Sequence, residues 1–203
     1  MKPLFVTGIG TGVGKTIISA LLVEKLRADY WKPIQSGDLD NSDTRKVRSL
    51  VSNPVSRFHP EAYRLTQPFS PHKSARLDGI EIETDRLRAS LPQTEQPLII
   101  EGAGGLMVPL NGRHLMIDLI PLFEADVIVV SRTYLGSINH TLLTLELLKT
   151  RGLPVKGIVF NGERDKDSEE AILGYSGVPC LGYVPDLKLD RVAVSRAGDL
   201  ISW

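Results

Sequence analysis

Short apolar runs alternate along this chain with longer segments of helical periodicity. Six runs predict strands: LFVTG (4–8), YWKPIQSG (30–37), which breaks into a loop at Pro33, PLIIEGAGG (97–105), DVIVVS (126–131), VKGIVFN (155–161) and CLGYVPD (180–186). Apolar positions from Ile17 to Leu26 predict a helix after the first run, and residues 138–152 predict another that ends at Gly152. Strands separated by helices require crossover connections, so the pattern predicts a three-layer α/β fold, a mainly parallel sheet with helices on both faces.

Polar or glycine-rich segments follow several of these runs. They are Gly8–Thr16, Lys32–Ser36, Glu101–Gly105, Ser131–Asn139 and Asn161. The carboxyl ends of parallel strands lie at one edge of a sheet, where ligands bind in open α/β folds. We therefore expect these five segments to meet at one edge and to form the functional site.

Composition narrows the class of protein. A chain of 203 residues with 42% hydrophobic and 24% charged residues predicts one domain over residues 1–203. The formal net charge is zero, which gives no support to nucleic acid or an anionic membrane as a partner. One cysteine, Cys180, excludes an internal disulfide and indicates a reducing compartment. No apolar run reaches membrane-spanning length, and the first residues do not resemble a signal peptide, so we expect a cytoplasmic protein.

The segment GIGTGVGKT (8–16) has the layout of a phosphate-binding loop between a strand and a helix. Five residues separate Gly8 from the Gly14-Lys15-Thr16 triplet, one more than the common pattern. The glycines still allow backbone N–H groups to converge on an anion, beside the positive end of the following helix. We expect Lys15 to reach the terminal phosphates of a nucleotide and the Thr16 hydroxyl to bind magnesium. The alternative is a glycine-rich turn without a ligand.

Three further polar residues are candidates beside this loop. Glu101 directly follows a buried apolar run, where a charge is costly without a nearby cation, and this favours a magnesium ligand over a solvated strand end. Asp43 follows Asn41-Ser42, and local sequence leaves a ligand and a helix-cap role equally open. Lys32 stands at a strand end, where a second cation would stabilise charge in phosphoryl transfer; a surface lysine is the alternative.

Taken together, these motifs resemble the dethiobiotin synthetase family. The matching blocks are VTGIGTGVGKT (6–16), KPIQSG (32–37), EGAGGLMVPL (101–110) and LGSINHTLLT (135–144), with SPH (70–72) and Asn41-Ser42-Asp43 in agreement. The resemblance extends to about residue 190 and is more specific than any single block. It implies a P-loop NTPase-like fold, ATP and Mg²⁺, and a homodimer with the substrate site at its interface.

The resemblance also implies roles for individual residues. The magnesium ligands are Thr16, Asp43 and Glu101, which raises the weight of Asp43. Lys15 and Lys32 bind phosphate and the substrate carbamate, and Thr11 lies near the reacting groups. The substrate contacts are Ser36 and, reaching across the dimer to the substrate carboxylate, Gly136, Ser137, Ile138 and Asn139. The nucleotide-binding set is Gly12, Val13, Gly14, Lys15, Thr16, Ile17, Asp43, Glu101, Gly102, Ala103, Gly104, Asn161, Pro185, Asp186 and Leu187.

The implied reaction is the ATP-dependent closure of a cyclic urea in biotin biosynthesis. One amine of 7,8-diaminopelargonic acid captures CO₂ as a carbamate, which attacks the γ-phosphate, and the second amine closes the resulting carbamic–phosphoric anhydride. The five-residue loop spacing is the family's own. Gly10 and Gly12 stand where family members often carry acidic residues, so nucleotide affinity and base preference stay open.

Three other classes compete with this hypothesis. A partner-switching ATPase of the chromosome- or septum-positioning kind carries a lysine five residues before the main loop lysine, where this chain has Gly10. A cobyrinate-type amidotransferase needs a nucleophilic cysteine in a glutaminase portion. A phosphate-binding module without catalysis leaves Glu101 and Lys32 beside the loop unexplained.

Overall fold

The computed structural model describes residues 1–186 and 190–202. In that part of the chain the strands are β1 (Leu4–Gly8), β2 (Asp29–Trp31), β3 (Ile34–Ser36), β4 (Phe58–His59), β5 (Tyr63–Leu65), β6 (Leu98–Glu101), β7 (Asp126–Arg132), β8 (Val155–Asn161) and β9 (Cys180–Val184). The helices are α1 (Lys15–Leu26), α2 (Asp43–Leu50), α3 (Pro71–Leu77), α4 (Thr84–Ala89), α5 (Leu119–Leu122), α6 (Ser137–Thr150), α7 (Lys166–Ser176) and α8 (Arg191–Ala197), with 3₁₀ turns at Leu39–Asn41, Met116–Asp118 and Gly198–Leu200.

Seven strands form a central sheet in the order β4-β2-β6-β1-β7-β8-β9, and every pairing in it is parallel. β1 lies in the middle, with Val6 opposite Glu101 of β6 and Gly8 opposite Val130 of β7. Parallel strands buried on both faces are near-continuous apolar runs, which is why the sequence pattern located them. The predicted α/β fold with a mainly parallel sheet is confirmed.

The two faces of the sheet each carry a hydrophobic cluster. Leu4 and Val6 pack with residues of α1 and α8 on one face, whereas Phe5 packs on the other with residues of α6 and α7. This alternation follows from the two-residue side-chain period of a strand. Phe5 is fully buried, and burying a side chain of this size stabilises the fold by roughly 1.5–3 kcal/mol. The clusters therefore hold the middle strand, and with it the start of the glycine-rich loop, in one position.

A second, two-stranded sheet is the main departure from the sequence prediction. Residues 30–37 do not form one strand, because β2 ends before Pro33 and β3 pairs in parallel with β5 in a separate sheet. Pro33 has no N–H to donate, and its carbonyl accepts from the N–H groups of Ala62 and Tyr63. As a result, the chain leaves the central sheet at Lys32 and runs across its carboxyl edge.

The carboxyl edge collects the ends of five strands. β1 leads into the glycine-rich loop, β2 into Lys32, β6 ends at Glu101, β7 at Arg132 and β8 at Asn161. The helix predicted for 138–152 begins one residue earlier, at Ser137, and a glycine with φ of 63° follows it at position 152. Within residues 1–186 and 190–202, no helix combines the length and apolar character needed to cross a membrane. The assignment of the whole chain to one domain stays a prediction.

Candidate active site

The glycine-rich loop, residues 9–14, connects β1 to α1 at the carboxyl edge. Gly14 precedes α1 with a φ of 101°, a conformation that favours glycine. A side chain here would also overlap with Asn161, the last residue of β8. The Asn161 amide nitrogen donates a hydrogen bond to the carbonyl oxygen of Val13 at 3.0 Å. The loop is thus held by β8 while the unpaired N–H groups that begin α1 provide an anion-binding end.

Lys15 is the first residue of α1, and its side chain folds back over the loop. Its Nζ donates to the carbonyl oxygen of Gly10 at 2.7 Å, and the residue is buried. Burial, followed by repulsion from the Lys32 ammonium, lowers the pKa of Lys15 from 10.5 to about 8. A buried ammonium that lacks a full counter-charge is a strong attractor for a phosphate group.

Glu101, Lys32 and Asp43 form a charge cluster beside this loop, in which Lys32 and Glu101 are buried and Asp43 is partly exposed. Lys32 Nζ lies 3.0 Å from Glu101 Oε1 and 2.8 Å from Asp43 Oδ2, and it also donates to the carbonyl oxygen of Gly102 at 3.2 Å. Thr16 Oγ1 donates to the same Glu101 oxygen at 2.9 Å. The cluster joins α1, β2, α2 and β6, which are far apart in the chain.

The charges in the cluster support one another. Although burial opposes the charge on Lys32, the Glu101 and Asp43 carboxylates raise the pKa of Lys32 above 10.5. Burial likewise opposes ionisation of Asp43, but the Lys32 ammonium lowers the pKa of Asp43 below its ordinary value. The surface-lysine and helix-cap alternatives therefore do not describe these two residues, and the helix-cap role belongs to Ser42, whose hydroxyl accepts from the Arg45 N–H.

Two residues of the cluster lie outside the sequence prediction. The Tyr30 hydroxyl donates to Glu101 Oε2 at 2.8 Å, and burial together with the Glu101 charge raises the pKa of Tyr30 well above 10. The Gln35 amide oxygen accepts from the N–H of Asp43 at 3.2 Å, and its nitrogen donates to the Gly37 carbonyl at 3.0 Å. Gln35 lay inside the KPIQSG block, but Tyr30 carries no signal in the sequence, because a tyrosine in a strand reads as a core residue.

The donor set of this cluster fits magnesium. Two carboxylates, Asp43 and Glu101, and the Thr16 hydroxyl are the hard oxygen ligands that Mg²⁺ takes in nucleotide sites, where phosphate and water oxygens complete the shell. The Lys32 ammonium within 3.0 Å of both carboxylates shows that this space accepts a cation. Among the described residues, no group of three or more His, Cys, Asp or Glu side chains is placed to hold a metal.

A cavity of about 590 Å³ opens above the cluster. The sequence-predicted residues that line it are Thr11, Gly12, Gly14, Lys15, Thr16, Ile17, Lys32, Ser36, Asp43, Glu101, Ala103 and Gly104. The opposite wall, which the sequence did not single out as a whole, is formed by Ile34, Gln35, Pro68, Phe69, Ser70, Pro71 and Val108. The cavity therefore has a charged floor and a partly apolar wall.

Other predicted residues lie away from this cavity. Val13 is buried under the loop, and Asn161 is the residue that supports it. Asp186 lies beyond the end of β9, where its carboxylate accepts from Arg132 at 3.0 Å. Leu187 lies outside the described residues, so nothing here bears on it. The adenine-end roles of Asn161, Pro185, Asp186 and Leu187 stay predictions.

The start of α6 forms a second, more open part of the edge. Gly136 has a φ of 99° and precedes the buried Ser137. Leu135 before it is fully exposed, and Ile138 and Leu143 are exposed on the helix. The predicted loop 136–139 is therefore at the carboxyl edge, but its apolar neighbours face outward rather than into the 590 Å³ cavity.

Comparison with known proteins decides between the classes left open by the sequence. A family model described as an AAA domain matches residues 2–190. ATP-dependent dethiobiotin synthetase BioD of Christiangramia forsetii is 52% identical over 185 residues, 91% of this chain and 88% of that protein. The protein of the same name from Cytophaga hutchinsonii is 50% identical over 96% of this chain and 94% of its own length. This chain belongs to the ATP-dependent dethiobiotin synthetase family. The predicted family is confirmed. The predicted enzyme class, an ATP-dependent ligase with a phosphate-binding loop, agrees with the names of these relatives.

Solved structures that resemble this dethiobiotin synthetase family member show the fold alone. A ParA family ATPase from Chlorobium tepidum TLS covers 97% of both chains with a TM-score of 0.58 and 13% identity. The septum site-determining protein MinD from Pyrococcus horikoshii OT3, complexed with Mg-ADP, has a TM-score of 0.55 and 16% identity over 97% of this chain and 86% of its own. The P-loop NTPase-like architecture is therefore shared with these two proteins.

Proposed function

We propose that this protein converts 7,8-diaminopelargonic acid, CO₂ and ATP into dethiobiotin, ADP and phosphate. The observation that carries the proposal is the charge cluster of Glu101, Lys32 and Asp43, which lies with Lys15 at one cavity beside the glycine-rich loop. A module that only binds phosphate has no use for a buried lysine held between two carboxylates. Phosphoryl transfer does, because its catalysis rests on positioning and on charge stabilisation.

The phosphates of ATP bind at the loop. The backbone N–H groups at the start of α1 receive the β- and γ-phosphate oxygens, and Lys15 exchanges its contact with the Gly10 carbonyl for one with phosphate. Thr16, Asp43 and Glu101 would hold the magnesium ion. When bound, that ion offsets the negative charge of the phosphates and of the transition state.

Lys32 binds the carbamate formed from one substrate amine. A carbamate oxygen attacks the γ-phosphorus, the bond from that phosphorus to the bridging oxygen breaks, and ADP leaves. The second amine then attacks the carbamate carbon and loses a proton as phosphate leaves with its oxygen, which closes the cyclic urea. Thr11 and Ser36, which line the same cavity, position the reacting groups. Lys15 and Lys32 stabilise the charge that develops, as fixed cations in a site shielded from water do.

We further infer a homodimer in which the start of α6 in one subunit binds the substrate carboxylate held by the other. The N–H groups at the start of α6 suit a carboxylate, apart from that of Ser137, which donates to the Tyr134 carbonyl oxygen at 2.9 Å. An apolar groove of about 670 Å³ lies beside them, lined in part by Leu142, Leu143 and Tyr175. An exposed apolar groove of this kind favours contact with another protein surface. A cytoplasmic location, supported by the single cysteine, is part of the same proposal.

Mass spectrometry of a reaction with the diamine, bicarbonate and Mg-ATP tests the proposal, with phosphate release followed in parallel. We expect dethiobiotin and phosphate in equal amounts. Hydrolysis of ATP that does not depend on the diamine, without a cyclic urea, would support a partner-switching ATPase instead. Lys32→Gln should lower product formation by at least about 100-fold. The control variant Lys156→Gln, at an exposed lysine paired with Asp126 at the amino end of β7, should behave as wild type.

A further inference from the structure

We propose that Tyr30 is a positioning residue, whose hydroxyl fixes the carboxylate of Glu101 so that one of its oxygens faces the nucleotide site. The inference rests on the proposed function, and it concerns a residue on β2, which β6 separates from the strand that leads into the loop. Tyr30 does not line the 590 Å³ cavity, so it would act through Glu101 and not by contact with substrate.

The two oxygens of Glu101 are used differently. Oε1 accepts from Thr16 Oγ1 at 2.9 Å and from Lys32 Nζ at 3.0 Å, which places it toward the phosphate loop. Oε2 accepts from the Tyr30 hydroxyl at 2.8 Å within the protein interior. The hydrogen bond from Tyr30 therefore holds Oε2 in the interior, and the different donors of the two oxygens fix the rotation of the carboxylate plane.

Tyr30 is a rigid donor. It lies on β2 beside β6, opposite Ile99 in the register, and it is fully buried in the hydrophobic cluster on the α1 face of the sheet. Its ring also contacts Phe58, with centroids 6.3 Å apart. Because the strand and the packed core already fix this donor, it loses little conformational entropy when a ligand binds. A lysine side chain, in contrast, is flexible and can move with its partner. The Tyr30 hydroxyl also adds no positive charge, so it does not compete with a cation for Oε1.

Loss of the hydroxyl should release the carboxylate. Oε2 would become a buried acceptor without this partner, which is costly for a charged group. The nearest remedy is rotation of Glu101 or a shift of Lys32 from Asp43 toward Oε2. Either change misplaces the oxygen that faces the nucleotide. Removal of a group that orients a metal ligand typically lowers metal affinity by about 10–100-fold.

The test is Tyr30→Phe, with Tyr63→Phe as the matched control. Tyr63 is also buried on a strand, and its hydroxyl accepts from the Glu83 N–H at 2.9 Å, away from Glu101. Two quantities are measured for each protein: the magnesium dependence of ADP binding by calorimetry, and the magnesium and diamine dependence of turnover. For Tyr30→Phe we expect the half-saturating magnesium concentration to rise about tenfold in both assays, with KM for the diamine changed less than twofold. Tyr63→Phe should leave the magnesium dependence unchanged.

A purely structural role predicts another pattern, in which both variants lower the melting temperature and neither alters magnesium dependence; that result would overturn the proposal. The double variant Tyr30→Phe/Glu101→Gln gives a second criterion. If Tyr30 acts through Glu101, adding Tyr30→Phe to Glu101→Gln changes the magnesium dependence less than twofold, and a further tenfold loss contradicts the mechanism.

Two further results distinguish failure of this proposal from failure of the variant to fold and from failure of the proposed function. If Tyr30→Phe does not fold, 3-fluorotyrosine installed at position 30 of the wild-type chain reports through its fluorine resonance, which should shift on addition of Mg-ADP; an unchanged resonance would overturn the proposal. If the wild-type protein makes no dethiobiotin but Tyr30→Phe weakens magnesium-dependent ADP binding, the proposed function fails and the positioning role stands.

Discussion

The two ends of the carboxyl edge differ in how far one chain completes them. At the ends of β2 and β6, the buried Lys32 is paired within the chain with the buried Glu101 and the partly exposed Asp43. At the end of β7, the start of α6 is flanked by exposed apolar side chains such as Leu135 and Leu143. Under the proposed function, the first region binds phosphate with residues of one chain, whereas the second would be completed by another subunit.

The difference shows where a buried charge is stable in this protein. A buried carboxylate is stable only with a cation and hydrogen-bond donors around it, so the phosphate end needs every partner from its own chain. The carboxylate of a substrate can instead be met by helix N–H groups that remain open until it arrives. Variants in each region should therefore separate catalysis from substrate binding.

Lys32→Gln should produce the largest effect, on the phosphate side. It removes the cation between Asp43 and Glu101 and the proposed carbamate partner, so we expect turnover to fall by at least about 100-fold, as for loss of one transition-state donor. Steady-state phosphate and dethiobiotin assays measure it. Circular dichroism should show a folded protein, and turnover within threefold of wild type would remove Lys32 from the mechanism.

Glu101→Gln should follow in size. It keeps the shape of the side chain but removes the charge that Lys32 and Thr16 contact, and we expect the half-saturating magnesium concentration to rise by about 10–100-fold. Glu24→Gln is the control, since Glu24 is a carboxylate that binds the backbone of Ser52 on the surface. An unchanged magnesium titration for Glu101→Gln counts against its role as a ligand.

Leu143→Lys tests the other region. A charge on this exposed position of α6 should prevent the proposed dimer and raise KM for the diamine by about tenfold, a loss of about 1.4 kcal/mol of binding, while ADP affinity changes less than twofold. Light scattering and the two assays measure this. Leu77→Lys, at an exposed leucine on α3, is the matched control. A monomer with normal KM would show that the start of α6 does not act across subunits.

The smallest expected effect is on the free energy of unfolding, in a comparison of the wild type with Lys15→Met, both in EDTA and without nucleotide. The pKa of Lys15 is about 8 in the folded protein, against 10.5 for the free side chain. Between these values the unfolded chain binds more protons, so stability rises with pH as the cost of the buried charge is relieved. We expect the wild type to gain on the order of 1 to 2 kcal/mol relative to Lys15→Met between pH 7 and 9.5. Parallel pH profiles in urea denaturation would contradict it.

The sequence predicted those parts of the fold that depend on local pattern. β1, β7 and β8 were located because buried parallel strands are continuous apolar runs. The small sheet of β3 and β5 was missed, since strands of three residues take their partners from tertiary context.

For the site, the local pattern predicted Lys15 and Glu101, and the family resemblance gave weight to Lys32 and Asp43. The structure places all four around one cavity. Tyr30 was missed because its role depends on a single hydroxyl contact across two strands. Phe69 was missed as well, since an aromatic residue in an irregular segment gives no sign that it lines a cavity.

The contact between Asn161 and Val13 bears on the order in which the protein is made. The carbonyl of Val13 in the loop leaves the ribosome 148 residues before the side chain that donates to it. At typical synthesis rates of about 5–20 residues per second, roughly 7 to 30 seconds separate the two. The glycine-rich loop therefore stays without this hydrogen bond until β8 has been synthesised and has joined the sheet.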